Sequence, residues 1–121
     1  MKICITSRGD TLDSEIDPRF GRCAYFVFVD TETLAYEAIA NPYGEAMGGA
    51  GIQSGQLVAS KQIKSVITGN VGPNAFQTLQ AAGIDVITGV TGSVKEAVEK
   101  YKKNEIKPTQ GPSVSSKYGL G

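Results

Sequence analysis

The chain has 121 residues, enough for one domain with a core of its own. Lys and Arg together number 12 and so do Asp and Glu, a balance that argues against a dedicated nucleic-acid binder, which carries a basic excess. There is no His, which excludes Ser–His, Cys–His and His-ligated zinc chemistry, and two cysteines make neither a disulfide framework nor a four-thiolate site within one chain.

Residues 2–7 (KICITS) predict a short strand, with Ile3 and Ile5 on one face and Cys4 and Thr6 on the other. Residues 8–22 are polar and irregular, punctuated by Asp10, Asp13, Asp17-Pro18 and Gly21. Residues 24–30 (AYFVFVD) are aromatic and β-branched, the mark of a buried strand. Asp30 to Thr33 make a turn, so residues 34–41 are expected as a hairpin partner. A glycine-rich loop over 42–51 leads into a helix over 50–62 that holds Gly55 inside it. A helix-interior Gly costs about 1 kcal/mol relative to Ala and is better tolerated where the helix packs very close to its neighbour.

Residues 65–69 (SVITG) are a short buried strand. Pro73 suits a first helical position, and Phe76, Leu79 and Ala82 follow at helical spacing up to a capping Gly83. Residues 84–88 form the last strand. Ser93-Val94-Lys95-Glu96 has capping-box spacing, ahead of Val94, Ala97, Val98 and Tyr101. The domain is expected over 1–107, with 108–121 as a flexible tail. No apolar run approaches the ~18 residues of a membrane helix. Met1 to Ile5 enters a strand without a leader-like apolar region, so a cytoplasmic protein is expected.

The order β-β-β-α-β-α-β-α combines a three-stranded meander with two α-then-β units. Right-handed crossovers make the later strands parallel to the first. The economical result is a five-stranded mixed sheet of order 3-2-1-4-5 with helices on both faces, which resembles the ribonuclease H-like arrangement. This topology gathers the loops 8–22, 42–51, 69–74 and 89–92 at one edge of the sheet. Ligands of open α/β sheets bind outside that carboxyl edge. Two of the loops run into helix N-termini, which suit an anion, and Arg19, Arg22 and Cys23 fall in the same region.

Gly48 to Gly55 does not have dinucleotide-fingerprint spacing, and Gly69 to Asn74 lacks the Lys and Ser/Thr of a P-loop. The latter is either a tight strand-to-helix turn or an anion cradle. Cys4, mid-strand, reads as a small buried hydrophobe. Cys23 follows Arg22, whose charge is expected to lower the thiol pKa. It reads either as a core residue beside Tyr25 and Phe26 or as a soft ligand suited to iron–sulfur chemistry. Two-metal nuclease chemistry needs several carboxylates, and the first strand carries none. No nucleophile–base pair assembles, so no catalytic residue and no enzyme are expected. The Lys95, Lys100, Lys102, Lys103 and Lys107 surplus reads as a solvated face or a docking patch.

Asp17-Pro18-Arg19-Phe20-Gly21-Arg22-Cys23-Ala24-Tyr25-Phe26 resembles the D-x-R-F-G-R-x-x-x-F segment of the dinitrogenase iron–molybdenum cofactor biosynthesis family, NifX-like proteins and the C-terminal domain of NifB. Gly48 to Ile52, Gly69 to Ala75, and Leu79 to Ile84 are similar to its other signatures, and the likeness covers about residues 1–106. The resemblance implies a non-catalytic carrier or scaffold for an iron–sulfur cluster or an iron–molybdenum cofactor precursor. It implies metallocluster assembly proteins as partners, including a P-loop ATPase, for a monomer or homodimer.

The candidate cofactor-binding residues are then Arg19, Phe20, Gly21, Arg22, Cys23, Gly48, Gly49, Gly51, Asn70, Gly72 and Asn74, with Cys23 as the metal ligand. Met47, before Gly48, falls in a neighbourhood where a ligand is to be looked for, but a thioether is a poor ligand for ordinary iron. A metal-free small-anion or nucleotide-binding regulatory module is the alternative, as is a docking partner of an iron–sulfur assembly ATPase.

Overall fold

The computed structural model describes residues 1–44 and 48–112; Met47 and residues 113–121 of the expected tail lie outside them. The strands are β1 (Lys2–Ser7), β2 (Tyr25–Asp30), β3 (Tyr36–Ala40), β4 (Ser65–Ile67) and β5 (Asp85–Ile87), and the helices α1 (Ala50–Ala59), α2 (Pro73–Ala81) and α3 (Val94–Lys102). They form an α/β fold around one five-stranded sheet of order β3-β2-β1-β4-β5. β1 pairs antiparallel with β2 and parallel with β4, so the sheet is mixed as expected.

Alternation along the strands sorts two cores. Cys4, Phe26, Phe28, Val66 and Val86 face α1 and α2, meeting Val58, Ala75 and Leu79. Ile3, Ile5, Val27, Val29, Ile67 and Ile87 face α3, meeting Val94, Ala97 and Val98. A one-residue register slip would exchange the two sets, so burial on both faces holds the pairing.

Local chemistry sets the element ends. The Ser93 hydroxyl accepts from Glu96 N at 3.1 Å, and Ser93 N donates to Glu96 Oε1 at 3.0 Å, completing the capping box of α3. α1 is shorter than the expected 50–62. The Ser60 hydroxyl bonds the Leu57 carbonyl at 2.6 Å, and Gln62 adopts a left-handed φ of 59°. β4 stops at Ile67 rather than Gly69 because Asn70 pairs instead with residues 18–20 of the long loop: Asn70 N donates to Pro18 O at 2.7 Å and Phe20 N to Asn70 O at 3.2 Å.

Past 107 the chain still bonds to the sheet. Thr109 N donates to Val86 O at 2.7 Å, and Thr88 N to Thr109 Oγ1 at 3.0 Å, so the start of the expected tail closes the outer edge of β5. Among the described residues, no helix is long and apolar enough to cross a membrane.

Candidate functional site at the carboxyl edge of the sheet

The loop between β1 and β2 divides into two parts. Residues 8–16 turn back on themselves, with Arg8 N donating to Glu15 O at 2.8 Å, and lie against the start of α3. There the carbonyls of Ser14 and Leu12 accept from Val94 N and Lys95 N, both at 2.9 Å. The N-terminus of α3 is therefore filled by this loop and its own cap.

Residues 17–23 are held by Asp17, which is 3% exposed. Its Oδ1 accepts from Arg19 N at 3.1 Å and its Oδ2 from Ala24 N at 3.2 Å. Its carbonyl lies 2.7 Å from the Thr6 hydroxyl, which also reaches Thr68 Oγ1 at 2.8 Å. One buried carboxylate thus closes the segment that carries Arg19, Arg22 and Cys23.

Phe20 points into the core, with its ring tilted against Phe26 at 5.7 Å between centroids. This anchors the segment and takes Phe20 away from any ligand. Gly21 lies against the first turn of α1; a Cβ there would sit 3.0 Å from Gly51 N and 3.1 Å from its Cα, so any side chain would have to push that backbone back by a few tenths of an ångström. Its carbonyl accepts from Ser54 Oγ at 3.2 Å and from Asn41 Nδ2 at 3.1 Å. Gly55 performs a similar service between helices, since a Cβ there would come within 2.9 Å of Thr78 Cγ2. α1 and α2 therefore lie side by side. Neither N-terminus, at Gly49 or Gly72, carries a side-chain cap.

Arg19, Arg22, Cys23, Ala24, Asn41, Pro42 and Gly44 line an open cleft of about 470 Å³. Arg22 Nη1 donates to Gly44 O at 3.0 Å, and Arg19 Nε lies 3.5 Å from Asp17 Oδ1 with its side chain 57% exposed. Asn41 Nδ2 also donates to Cys23 O at 3.0 Å and reaches Cys23 Sγ at 3.8 Å. A second cleft of about 440 Å³, at the opposite edge beside Asp85, Tyr101, Lys102 and Lys107, meets no helix N-terminus.

Of the residues expected at the site, Arg19, Arg22 and Cys23 share this cleft. Gly21 and Gly51 do not line it and lie close against each other. Gly48 and Gly49 are exposed ahead of α1, and Gly49 is left-handed with a φ of 73°. Asn70 is tied by its backbone to residues 18–20, Gly72 is the N-cap of α2, and Asn74 lies in its first turn. None of these last three lines the cleft. Asn41, Pro42 and Gly44 line it without having been expected. The Asn-Pro pair at the end of a strand was the available indication, since Asn side chains bond nearby backbone.

The expectation for the Cys23 thiol is reversed. Cys23 is 1% exposed, within the α1/α2-side core. Burial pushes its pKa well above the ordinary thiol value, and Cys4 and the Asp17 carboxylate raise it further, against smaller lowering by its own backbone N–H and the Asn41 amide. Cys4 is raised as well, by burial. Both cysteines are free and buried. Neither should react with iodoacetamide at pH 8 in the native protein, and both should react once denaturant is added. Native labelling of Cys23, followed by mass spectrometry, would show the thiol to be open.

The site is thus a cleft at the carboxyl edge of an α/β domain, lined by two arginines, with the neighbouring Gly21 packed against the start of α1. Residues 1–104 match the Nitro_FeMo-Co family, described as dinitrogenase iron-molybdenum cofactor, and the chain belongs to that family. It is 30% identical over 97 residues to an uncharacterized protein of Methanocaldococcus jannaschii, covering 78% of this chain and 82% of that one. Among solved structures it resembles the apo form of the orange protein from Desulfovibrio gigas, with a TM-score of 0.90 and 40% identity over 93% of this chain and 96% of that one. It also resembles a putative NifB protein from Thermotoga, with a TM-score of 0.78 and 34% identity over 93% and 98% of the two chains.

Proposed function

We propose that this chain is a non-catalytic carrier or scaffold for an anionic metallocluster, an iron–sulfur cluster or an iron–molybdenum cofactor precursor. The carrying observation is that Arg19 and Arg22 line one cleft, with the neighbouring Gly21 packed against an uncapped helix N-terminus, in a member of this family. The cluster is cargo. The arginines neutralise it, and N–H groups at the start of α1, near Gly49 to Gly51, bond its sulfides; Gly72 to Ala75, off the cleft, take no part. The ribonuclease H-like arrangement supplies the frame, and cytoplasmic cluster-assembly proteins, an ATPase among them, are the proposed exchange partners.

Cys23 does not fit a preformed ligand, because its thiol is covered and burial favours the protonated form. Cargo is therefore held through charge and hydrogen bonds, without a thiolate–metal bond. Anaerobic titration with ferrous iron and sulfide should give the same stoichiometric visible chromophore in the wild type and in Cys23→Ala. Loss of the chromophore in Cys23→Ala alone would restore the thiolate as ligand, and its proton would have to leave on loading.

A metal-free small-anion or nucleotide module is the second reading. It is favoured by one observation: no cluster of three or more Cys, Asp or Glu able to hold a metal occurs among the described residues. A wild-type protein that forms no chromophore but is stabilised by inorganic phosphate or a nucleotide would decide for it.

A further inference from the structure

The two edges of the sheet are treated differently. Thr109 closes the edge of β5, whereas among the described residues β3 ends the sheet. We propose that β3 is a self-pairing surface, through which two copies of the chain join antiparallel about a two-fold axis at Ala38 to make one continuous sheet. This goes beyond the carrier reading and does not depend on what the cleft holds.

The backbone is set for it. Asp30 N donates to Ala35 O and Asn41 N to Ala24 O, both at 2.9 Å, so the odd-numbered residues of β3 bond β2. Tyr36, Ala38 and Ala40 therefore turn their N–H and C=O groups outward. β3 itself (YEAIA) contains no Pro, Lys or Arg, residues that commonly blunt an open edge.

Charge selects the register. Centring the pair on Glu37 would set two carboxylates directly opposite each other, which is unfavourable. Centring it on Ile39 shortens the overlap. Centring it on Ala38 places Glu37 opposite Ile39 and uses all three outward residues: Ala38 faces Ala38 of the second copy, and Tyr36 faces Ala40 in each direction.

The same register explains the apolar exposure here. Tyr36 is 44% and Leu34 38% exposed, two of the four large apolar side chains left open among the described residues. Tyr36 would cover the second copy's Ala40. Continued past the strand, the register brings Leu34 of the second copy to Pro42 at the rim of the cleft. Leu34 holds a left-handed φ of 64°, uncommon for a Leu, in the turn that presents it.

Sedimentation of the full chain from micromolar to near-millimolar concentration tests this, with Ala40→Pro and Tyr36→Lys alongside. The Ala40 N–H points away from β2, so Pro removes an intermolecular donor and no internal bond. We expect a concentration-dependent dimer whose midpoint rises by about tenfold or more in each variant, while thermal unfolding at monomeric concentration is unchanged. Ala38→Cys should cross-link to a disulfide dimer on oxidation, since directly facing Cα atoms about 5.5 Å apart lie within disulfide reach and both native thiols are buried. A wild-type monomer throughout, with no cross-linked Ala38→Cys dimer, would overturn the proposal, as would a dimer that neither edge variant weakens.

Discussion

Replacing Arg19 and Arg22 together by Gln is expected to weaken retention of an anionic iron–sulfide cargo by about 100-fold. A charge-assisted hydrogen bond contributes about 1.5–3 kcal/mol. Arg19 belongs at the low end, because its side chain is 57% exposed and screened by water. Arg22 is half-buried and oriented by Gly44 O, so its contact is better preorganised. Together they account for about 3 kcal/mol, or two decades in Kd. The comparison is a Lys95→Gln/Lys102→Gln double variant, which makes the same change in net charge on α3, away from the cleft. Equal losses in the two double variants would mean that cargo responds to overall charge. A loss confined to the arginine pair places it in the cleft. Wild-type retention should also fall with added salt more steeply than that of the arginine variant, because part of the attraction is screened over about 10 Å at 0.1 M.

How much of this was legible in the sequence varies with the physics behind each feature. Strand order followed from the aromatic and β-branched run in residues 24–30 and from the two α-then-β units, because burial on both faces and right-handed crossovers leave few alternatives. The capping box at Ser93 and Glu96 is local chemistry and appears where the spacing places it. The meeting of Arg19, Arg22 and Cys23 at one edge followed from topology alone. The state of Cys23 did not. Its neighbour in sequence is Arg22, but Arg22 reaches Gly44 while the thiol turns into the core beside Cys4 and Phe20. Adjacency in the chain gave the wrong electrostatic neighbour, since the turn before β2 sends the Arg22 guanidinium to Gly44 and the Cys23 thiol to the core. Asn41 was missed for a related reason. Its amide bonds carbonyls of residues 21 and 23, about twenty positions away, and the Asn-Pro pair marks the local turn without naming those partners. Thr109 looked like tail because its neighbours are Pro, Gly and Lys, yet an open edge of β5 gave its N–H a partner.

Asp17→Ala should be the most destabilising single change at the site, by about 3 kcal/mol. Asp17 is quoted in the motif as though it belonged with the arginines, but its carboxylate is 3% exposed and turned inward. Its ion pair with Arg19 contributes little, since the guanidinium is mostly in water. The cost lies in the backbone groups it satisfies. Removing it leaves the N–H groups of Arg19 and Ala24 without their acceptors, at about 1–3 kcal/mol each where water cannot replace the bond. For a chain of this length that lowers Tm by roughly 10 °C. Asp17→Asn keeps one acceptor oxygen and sets an NH₂ donor against the other N–H, so it should recover less than half of the loss. Thermal and urea unfolding of the three proteins, with Arg19→Gln as the ion-pair control, separates the contributions. If Arg19→Gln destabilises as much as Asp17→Ala, the ion pair and not the backbone clasp holds the segment. If Asp17→Ala costs under about 0.5 kcal/mol, the range of ordinary surface changes, residues 17–23 are held by Phe20 and the Asn70 pairing instead. With the clasp removed, Arg19 and Arg22 lose their fixed positions. Cargo retention in Asp17→Ala should therefore fall even at temperatures where the domain stays folded, which ties the buried acid to the placing of the two arginines.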